Sequence, residues 1–204
     1  MYKKPIIVFE GIEGSGKTLH INALASYLKK KKIKFIRIRE PGGSDNAEKI
    51  RKLILNNNSN FNKITDLLLY FAARSENIEN IIKNNFKKKI ILIDRFTDST
   101  LAYQHYGMGV DINFIHAINK LLLKNINVSF TFLNLVNKKN MKIRLNKRKK
   151  LNRYDKFTMK FYEKVQSGFI KIANKHKKKY LKINSNKEIK VNKKIILKKI
   201  ESLI

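Results

Sequence analysis

The 204-residue chain contains no cysteine, which excludes disulfides and thiolate-bound metals from its folding and fits a reducing compartment. Zinc is not expected. Acid is scarce as well: 15 aspartates and glutamates stand against 46 lysines and arginines, giving a formal charge of +31. Long apolar runs are missing. The run Pro5–Phe9 is too short for a signal-peptide core and is closed by Glu10. No stretch approaches the roughly 20 apolar residues that span a bilayer. A cytoplasmic protein with no membrane association is therefore expected. The length suits one compact domain over 1–204, large enough to bury roughly 70% of the surface its unfolded chain exposes.

The positive excess raises the question of a nucleic-acid partner, because basic surfaces release counterions from phosphate backbones. Its distribution argues otherwise. Lysine, asparagine and isoleucine make up about 45% of the chain, far above ordinary usage, and they occur in every segment rather than along one stripe. All three can be encoded by A/T-rich codons, so we attribute the excess to mutational bias and expect no nucleic-acid partner. Against that background the rare residues carry information. Eight arginines, at 37, 39, 51, 74, 95, 144, 148 and 153, accompany 38 lysines. A planar, bidentate guanidinium is not replaced by a lysine where a phosphate or carboxylate must be gripped in one orientation. Seven of the eight glycines fall in 11–16, 42–43 and 107–109, where backbone freedom or close approach is needed.

Five short apolar runs, Ile6–Phe9, Phe35–Ile38, Ile90–Ile93, Val128–Leu133 and Tyr180–Ile183, are β-branched or aromatic and bounded by polar residues, as strands are. Between and after them, 19–31, 45–56, 64–84, 111–124, 137–147, 156–176 and 188–203 carry helical apolar spacing. The alternation predicts an α/β fold with a five-stranded parallel sheet flanked by helices, right-handed crossovers and ligands gathered at the carboxyl ends of the strands. Asn56–Asn62 and Lys147–Asn152 read as loops, and the tail after Ile183 as a surface helix without a chemical role.

The segment Gly11-Ile12-Glu13-Gly14-Ser15-Gly16-Lys17-Thr18 follows a strand and opens a helix, the context that turns a G-x-x-x-x-G-K-[ST] match into a phosphate-binding loop. Its glycines let backbone N–H groups curl around phosphates, Lys17 reaches the β- and γ-oxygens, and the Thr18 hydroxyl ligates Mg2+. ATP binding within a P-loop NTPase-like fold follows. Asp94, directly after the third apolar run, is placed to orient the same metal.

Taken with Arg39-Glu40-Pro41-Gly42-Gly43, Tyr70-Phe71-Ala72-Ala73-Arg74 and the stretch from Asp94-Arg95 to Tyr103-Gln104, this loop resembles the thymidylate kinase family in order and spacing over essentially the whole chain. The resemblance implies transfer of the γ-phosphoryl group of ATP to dTMP. It implies that Glu13 contacts the acceptor sugar, that Tyr70 stacks on thymine, and that Arg74 and Thr100 meet the base edge. Arg95 would grip the acceptor phosphate with Arg39 and Arg51 as helpers. Tyr103, with Ser99 and Gln104, would form the wall that disfavours a 2′-hydroxyl. Residues 144–155 resemble the lid that closes over ATP. Since the phosphate loop has no arginine of its own, the chain is similar to the bacterial subgroup in which a lid arginine, here Arg148 or Arg153, stabilises the transferring group, with Arg144 beside the adenine. A homodimer is implied as well. His105-Tyr106-Gly107-Met108-Gly109 is bulkier than the family's glycine-rich stretch, and Asp155 stands where glutamate is common.

Two other readings compete. A kinase for another nucleotide or for a nucleoside shares the loop, but a nucleoside acceptor needs a base to activate its hydroxyl, whereas clustered arginines suit an acceptor already bearing phosphate. A basic P-loop ATPase that binds nucleic acid would leave Tyr70, Arg74 and Tyr103 without a role.

Overall fold

The structure is a computed structural model and describes residues 4–204. Strands β1 (Ile6–Glu10), β2 (Phe35–Arg39), β3 (Ile90–Asp94), β4 (Phe130–Leu135) and β5 (Tyr180–Asn184) form one sheet in the order β2-β3-β1-β4-β5. Every pair is parallel. The strands coincide with the five apolar runs but end later. Glu10, Arg39, Asp94 and Asn184 belong to the strands themselves, so polar side chains are carried rigidly to the carboxyl edge. At the other end, β4 starts two residues beyond Val128.

The period of two along a strand divides the core. Ile7, Phe9 and Leu92 pack on one face under α1 (Lys17–Lys30), together with Ile21, Leu24 and Leu28. Ile6, Val8, Ile91 and Ile93 pack on the other with Ile78 and Ile82. A one-residue slip of β1 would exchange the two sets, which fixes its register. The remaining helices are α2 (Asp45–Leu55), α3 (Lys63–Asn77), α4 (Lys83–Asn85), α5 (Thr97–Thr100), α6 (Ile112–Leu123), α7 (Lys138–Asn146), α8 (Met159–Lys175) and α9 (Ile189–Glu201). A π-helical stretch, Ile78–Ile82, joins α3 to α4, and a second, Leu101–Gly107, continues α5. The segment from 97 to 107 carried no helical expectation.

Caps show why the helices start where they do. Ser44, Asn62, Asp111, Asn137 and Thr158 each accept from a backbone N–H in the first turn of the helix that follows, satisfying donors that have no partner inside the helix. In contrast α1 opens on Gly16 with no side-chain cap. Leu19 N and His20 N both donate to Gly16 O, at 3.1 and 3.3 Å. The tail after Ile183 is not only surface, since Ile196 and Ile200 of α9 are buried in the core beneath α1. Among the described residues no helix is long and apolar enough to cross a membrane.

Candidate active site

The sheet order reverses direction at β1, and the crevice at such a point is where open α/β sheets take ligands. β1 feeds the loop 11–18. Gly11, at φ 137°, passes so close to β4 that a Cβ there would lie 2.3 Å from the carbonyl oxygen of Asn134. Only glycine fits. Asn134, a residue without a sequence motif, holds this edge: its buried Nδ2 lies 2.6 Å from His20 Nδ1 and donates to Ser185 Oγ and Ser15 O. Burial, aided by the charge of Arg144, pushes the His20 pKa down. Lys17 folds back over the loop, its Nζ donating to the carbonyls of Gly11 at 2.8 Å and Ile12 at 2.9 Å. Burial and the nearby Arg95 charge lower its pKa to about 8. The Thr18 hydroxyl donates to Asp94 Oδ2 at 3.3 Å.

Arg95 lies just beyond β3 at φ 68°, a left-handed conformation costly for a residue with a Cβ. Glu10, at the end of β1, holds the turn in place. Its Oε1 accepts from Phe96 N at 2.8 Å and Ser99 N at 3.2 Å, and its Oε2 accepts from the Ser99 hydroxyl at 2.6 Å. Burial and the neighbouring Asp98 raise the Glu10 pKa to about 7 against these donors. The Arg95 guanidinium donates to Glu13 Oε1 at 2.8 Å and lies 5.1 Å from the centre of the Tyr103 ring. Tyr103 donates its hydroxyl to the other Glu13 oxygen. Burial alone would raise the Glu13 pKa, but Arg95, Lys17 and the Tyr103 hydroxyl hold it below the ordinary value. The loop is thereby tied to the opposite wall as an ionised carboxylate.

That wall is built around Arg74 on α3, 1% exposed. Its guanidinium pairs with Glu40 at 2.9 Å and donates to Asn119 Oδ1, Phe96 O and Thr100 Oγ1. Arginine has five N–H groups, so one is left without a partner among the described residues. Arg74 lines a cleft with Glu13, Lys17, Thr18, Arg51, Tyr70, Asp94, Arg95, Ser99, Thr100, Tyr103, Gln104 and Arg148. Most of the candidate residues thus share one space. Arg39 does not border it. Its guanidinium pairs with Glu48 at the surface.

The three arginines of 144–155 are dispersed. Arg144, on α7, donates to Gly14 O at 2.9 Å and Ser185 O at 2.7 Å, and borders a recess behind the loop with Gly16, Leu19, His20, Lys187 and Ile189. The segment after β5 thus lines part of that recess. Arg148 pairs with Asp155 and faces the cleft. Arg153 turns aside, its guanidinium on Asp66 and on Ile54 O. Sequence reasoning passed over Glu10, Asp66, Asn134 and Tyr154. The signal for Asp66 was its spacing, since 66, 70 and 74 recur every four residues and share a helix face.

A family model described as Thymidylate kinase matches residues 9–196. The thymidylate kinase of Thermosipho africanus (strain TCF52B) is 40% identical over 168 residues, covering 82% of this chain and 83% of that protein. The thymidylate kinase of Sulfurihydrogenibium sp. (strain YO3AOP1) is 37% identical over 193 residues, covering 94% of each. Among solved structures, the crystal structure of thymidylate kinase from Ehrlichia chaffeensis superposes with a TM-score of 0.80 at 31% identity, covering 98% of this chain and 99% of that one.

Proposed function

The chain belongs to the thymidylate kinase family, and on that premise we propose how its cleft moves the γ-phosphoryl group of ATP to dTMP, giving dTDP and ADP. One observation carries the reading: Glu13, inside the phosphate loop, is ion-paired with Arg95 across the cleft that Lys17, Thr18 and Asp94 also line. Donor and acceptor machinery meet there. The loop N–H groups and Lys17 hold the ATP phosphates, with Arg144 toward the adenine. Arg95 and Arg51 hold the dTMP phosphate, with Arg39 within reach once it leaves Glu48. Tyr70 stacks on thymine, the remaining Arg74 N–H and Thr100 meet its edge, and Tyr103, Ser99 and Gln104 close the space below the sugar. Glu13 accepts from the 3′-hydroxyl.

Two phosphoryl groups repel each other, and the acceptor phosphate is already a nucleophile, so fixed cationic donors rather than a protein base are what the chemistry requires. Arg148 is assigned to the transferring group because it faces the cleft, whereas Arg153 is engaged by Asp66. Magnesium fits Thr18 and Asp94, two hard oxygen donors at the loop, because Mg2+ takes few protein ligands and completes its shell with phosphates and water. When bound it neutralises charge on the β- and γ-oxygens. We read 1–204 as one domain with a lid at 144–155, acting in the cytoplasm as a homodimer. Exposed Ile64 and Leu68 on α3 and Phe114 and Leu121 on α6 support the pairing.

A coupled ADP-release assay with dTMP, dUMP, UMP, dCMP, dGMP and thymidine as acceptors tests the reading. Strong preference for dTMP is expected. ADP release independent of every acceptor, or stimulated only by DNA, would overturn it.

A further inference from the structure

Asp66 is 1% exposed in the first turn of α3, and a buried carboxylate is tolerated only when charge and hydrogen bonds compensate it. Its ionic compensation comes from the lid. One oxygen accepts from the Arg153 guanidinium and the other from the Tyr154 hydroxyl, with Gln104 Nε2 further off at 3.5 Å. Arg153 reaches past Asp66 to donate to Ile54 O at the end of α2. The turn Arg153–Lys156 is thus fastened to two helices of the acceptor side.

The same turn holds Arg148. Asp155 pairs with the Arg148 guanidinium while its second oxygen accepts from Asn152 N at 3.0 Å and Asn152 Nδ2 at 2.7 Å, closing a capping box. Between Arg148 and that box the chain is exposed at Lys149, Lys150 and Leu151, so it supplies little packing of its own. Asp66 also shares a face of α3 with Tyr70, whose ring meets that of Tyr154 edge-on at 5.9 Å.

We propose that Asp66 is a positioning residue: it latches the base of the lid to the acceptor wall through Arg153 and Tyr154, and thereby holds Arg148 over the cleft. The proposal rests on the assignment of Arg148 to the transferring phosphoryl group. It explains why two lid arginines five residues apart face different ways, one toward the cleft and one into the anchor.

Two variants test it in the full-length protein, Asp66→Asn and the milder Tyr154→Phe, which removes one hydroxyl. Asp66→Asn is expected to lower kcat about ten- to a hundredfold, the effect of a catalytic group displaced by about an ångström, while KM for ATP changes far less. Tyr154→Phe should act in the same direction and more weakly. Amide hydrogen exchange in 148–157 should accelerate in both, with β1 unchanged. Added to Arg148→Ala, Asp66→Asn should cost less than about twofold more, because residues acting through one another are not additive. Unchanged exchange in 148–157, or kcat losses that multiply, would overturn the latch. A global loss of β1 protection would show a folding role instead and overturn it too. If Arg148→Ala by itself left kcat intact, the assignment of Arg148 would fall, and with it the catalytic half of the proposal. The exchange rates alone would then decide whether Asp66 anchors the lid.

Discussion

Arg95 combines three features in one side chain: a left-handed backbone at φ 68°, an ion pair with Glu13 and a ring contact with Tyr103. Each fixes the direction of a planar donor. Arg95→Ala should therefore lower kcat/KM for dTMP by at least about a hundredfold, on the scale of losing one electrostatic donor from a preorganised site. ATP binding, measured by titration, should remain largely intact; loss of the folded state instead would mark a structural arginine. Lys17 gives a pH prediction. Burial lowers its pKa to about 8 in the free protein, so below that value the side chain is charged and grips phosphate, and above it the charge is lost. The kcat/KM for ATP, which reports the free enzyme, should fall as pH rises through about 8. The fall in kcat should come at higher pH, because bound phosphate favours the charged lysine. A flat kcat/KM profile from pH 7 to 9 would contradict this. Several cleft-lining residues were legible because arginine is rare against so much lysine, which marked Arg51, Arg74, Arg95 and Arg148. Glu10 and Asp66 were not. Their work is to hold other residues, and a carboxylate that meets backbone N–H groups some 86 to 89 positions away leaves no local pattern.

At the scale of elements, the cleft wall that carries Tyr103 depends on how α8 lies against the π-helical stretch Leu101–Gly107. Two glycines allow the approach. A Cβ on Gly168 would lie 2.6 Å from the Tyr106 ring, and one on Gly107 would lie 2.7 Å from the Phe161 ring. Each aromatic occupies the space the opposite glycine leaves. Gly168→Ala raises intrinsic helix propensity by up to about 1 kcal/mol, yet overpacking costs about 1–3 kcal/mol, so the steric term wins. Chemical denaturation should show net destabilisation, and KM for dTMP should rise because Tyr103 sits on the displaced stretch. A more stable variant with unchanged KM would refute the packing account. The strands and their parallel direction were legible because each is a short apolar run separated from the next by a helical crossover. The segment 97–107 was not, since its π-helical half departs from the 3.6-residue period on which the reading depends. The loop 147–152 was legible in place, but the conformation of the turn after it was not, because polar segments owe their shape to partners elsewhere, here Asp66 and the backbone of α2.

For the whole molecule the excess of charge matters more than its composition suggests. Of the 15 acidic residues, Glu10, Glu13, Glu40, Asp66 and Asp155 are buried. They are spent on holding the site together, leaving a surface more one-sidedly basic than the sequence. Two consequences have opposite dependence on salt. Like charges repel across the folded surface and destabilise the compact state. Screening shortens from about 30 Å at about 0.01 M salt to about 8 Å at 0.15 M, so Tm should rise between those conditions. The same field draws anionic nucleotides toward the cleft and speeds their encounter, so kcat/KM for dTMP and for ATP should fall over the same range. A paired titration with KCl, following thermal melting and steady-state rates on one preparation, checks both slopes. If Tm and kcat/KM rose or fell together, salt would be acting through folding alone. Opposite slopes would show that a surface costly to stability also gathers the two anions on which the cleft acts.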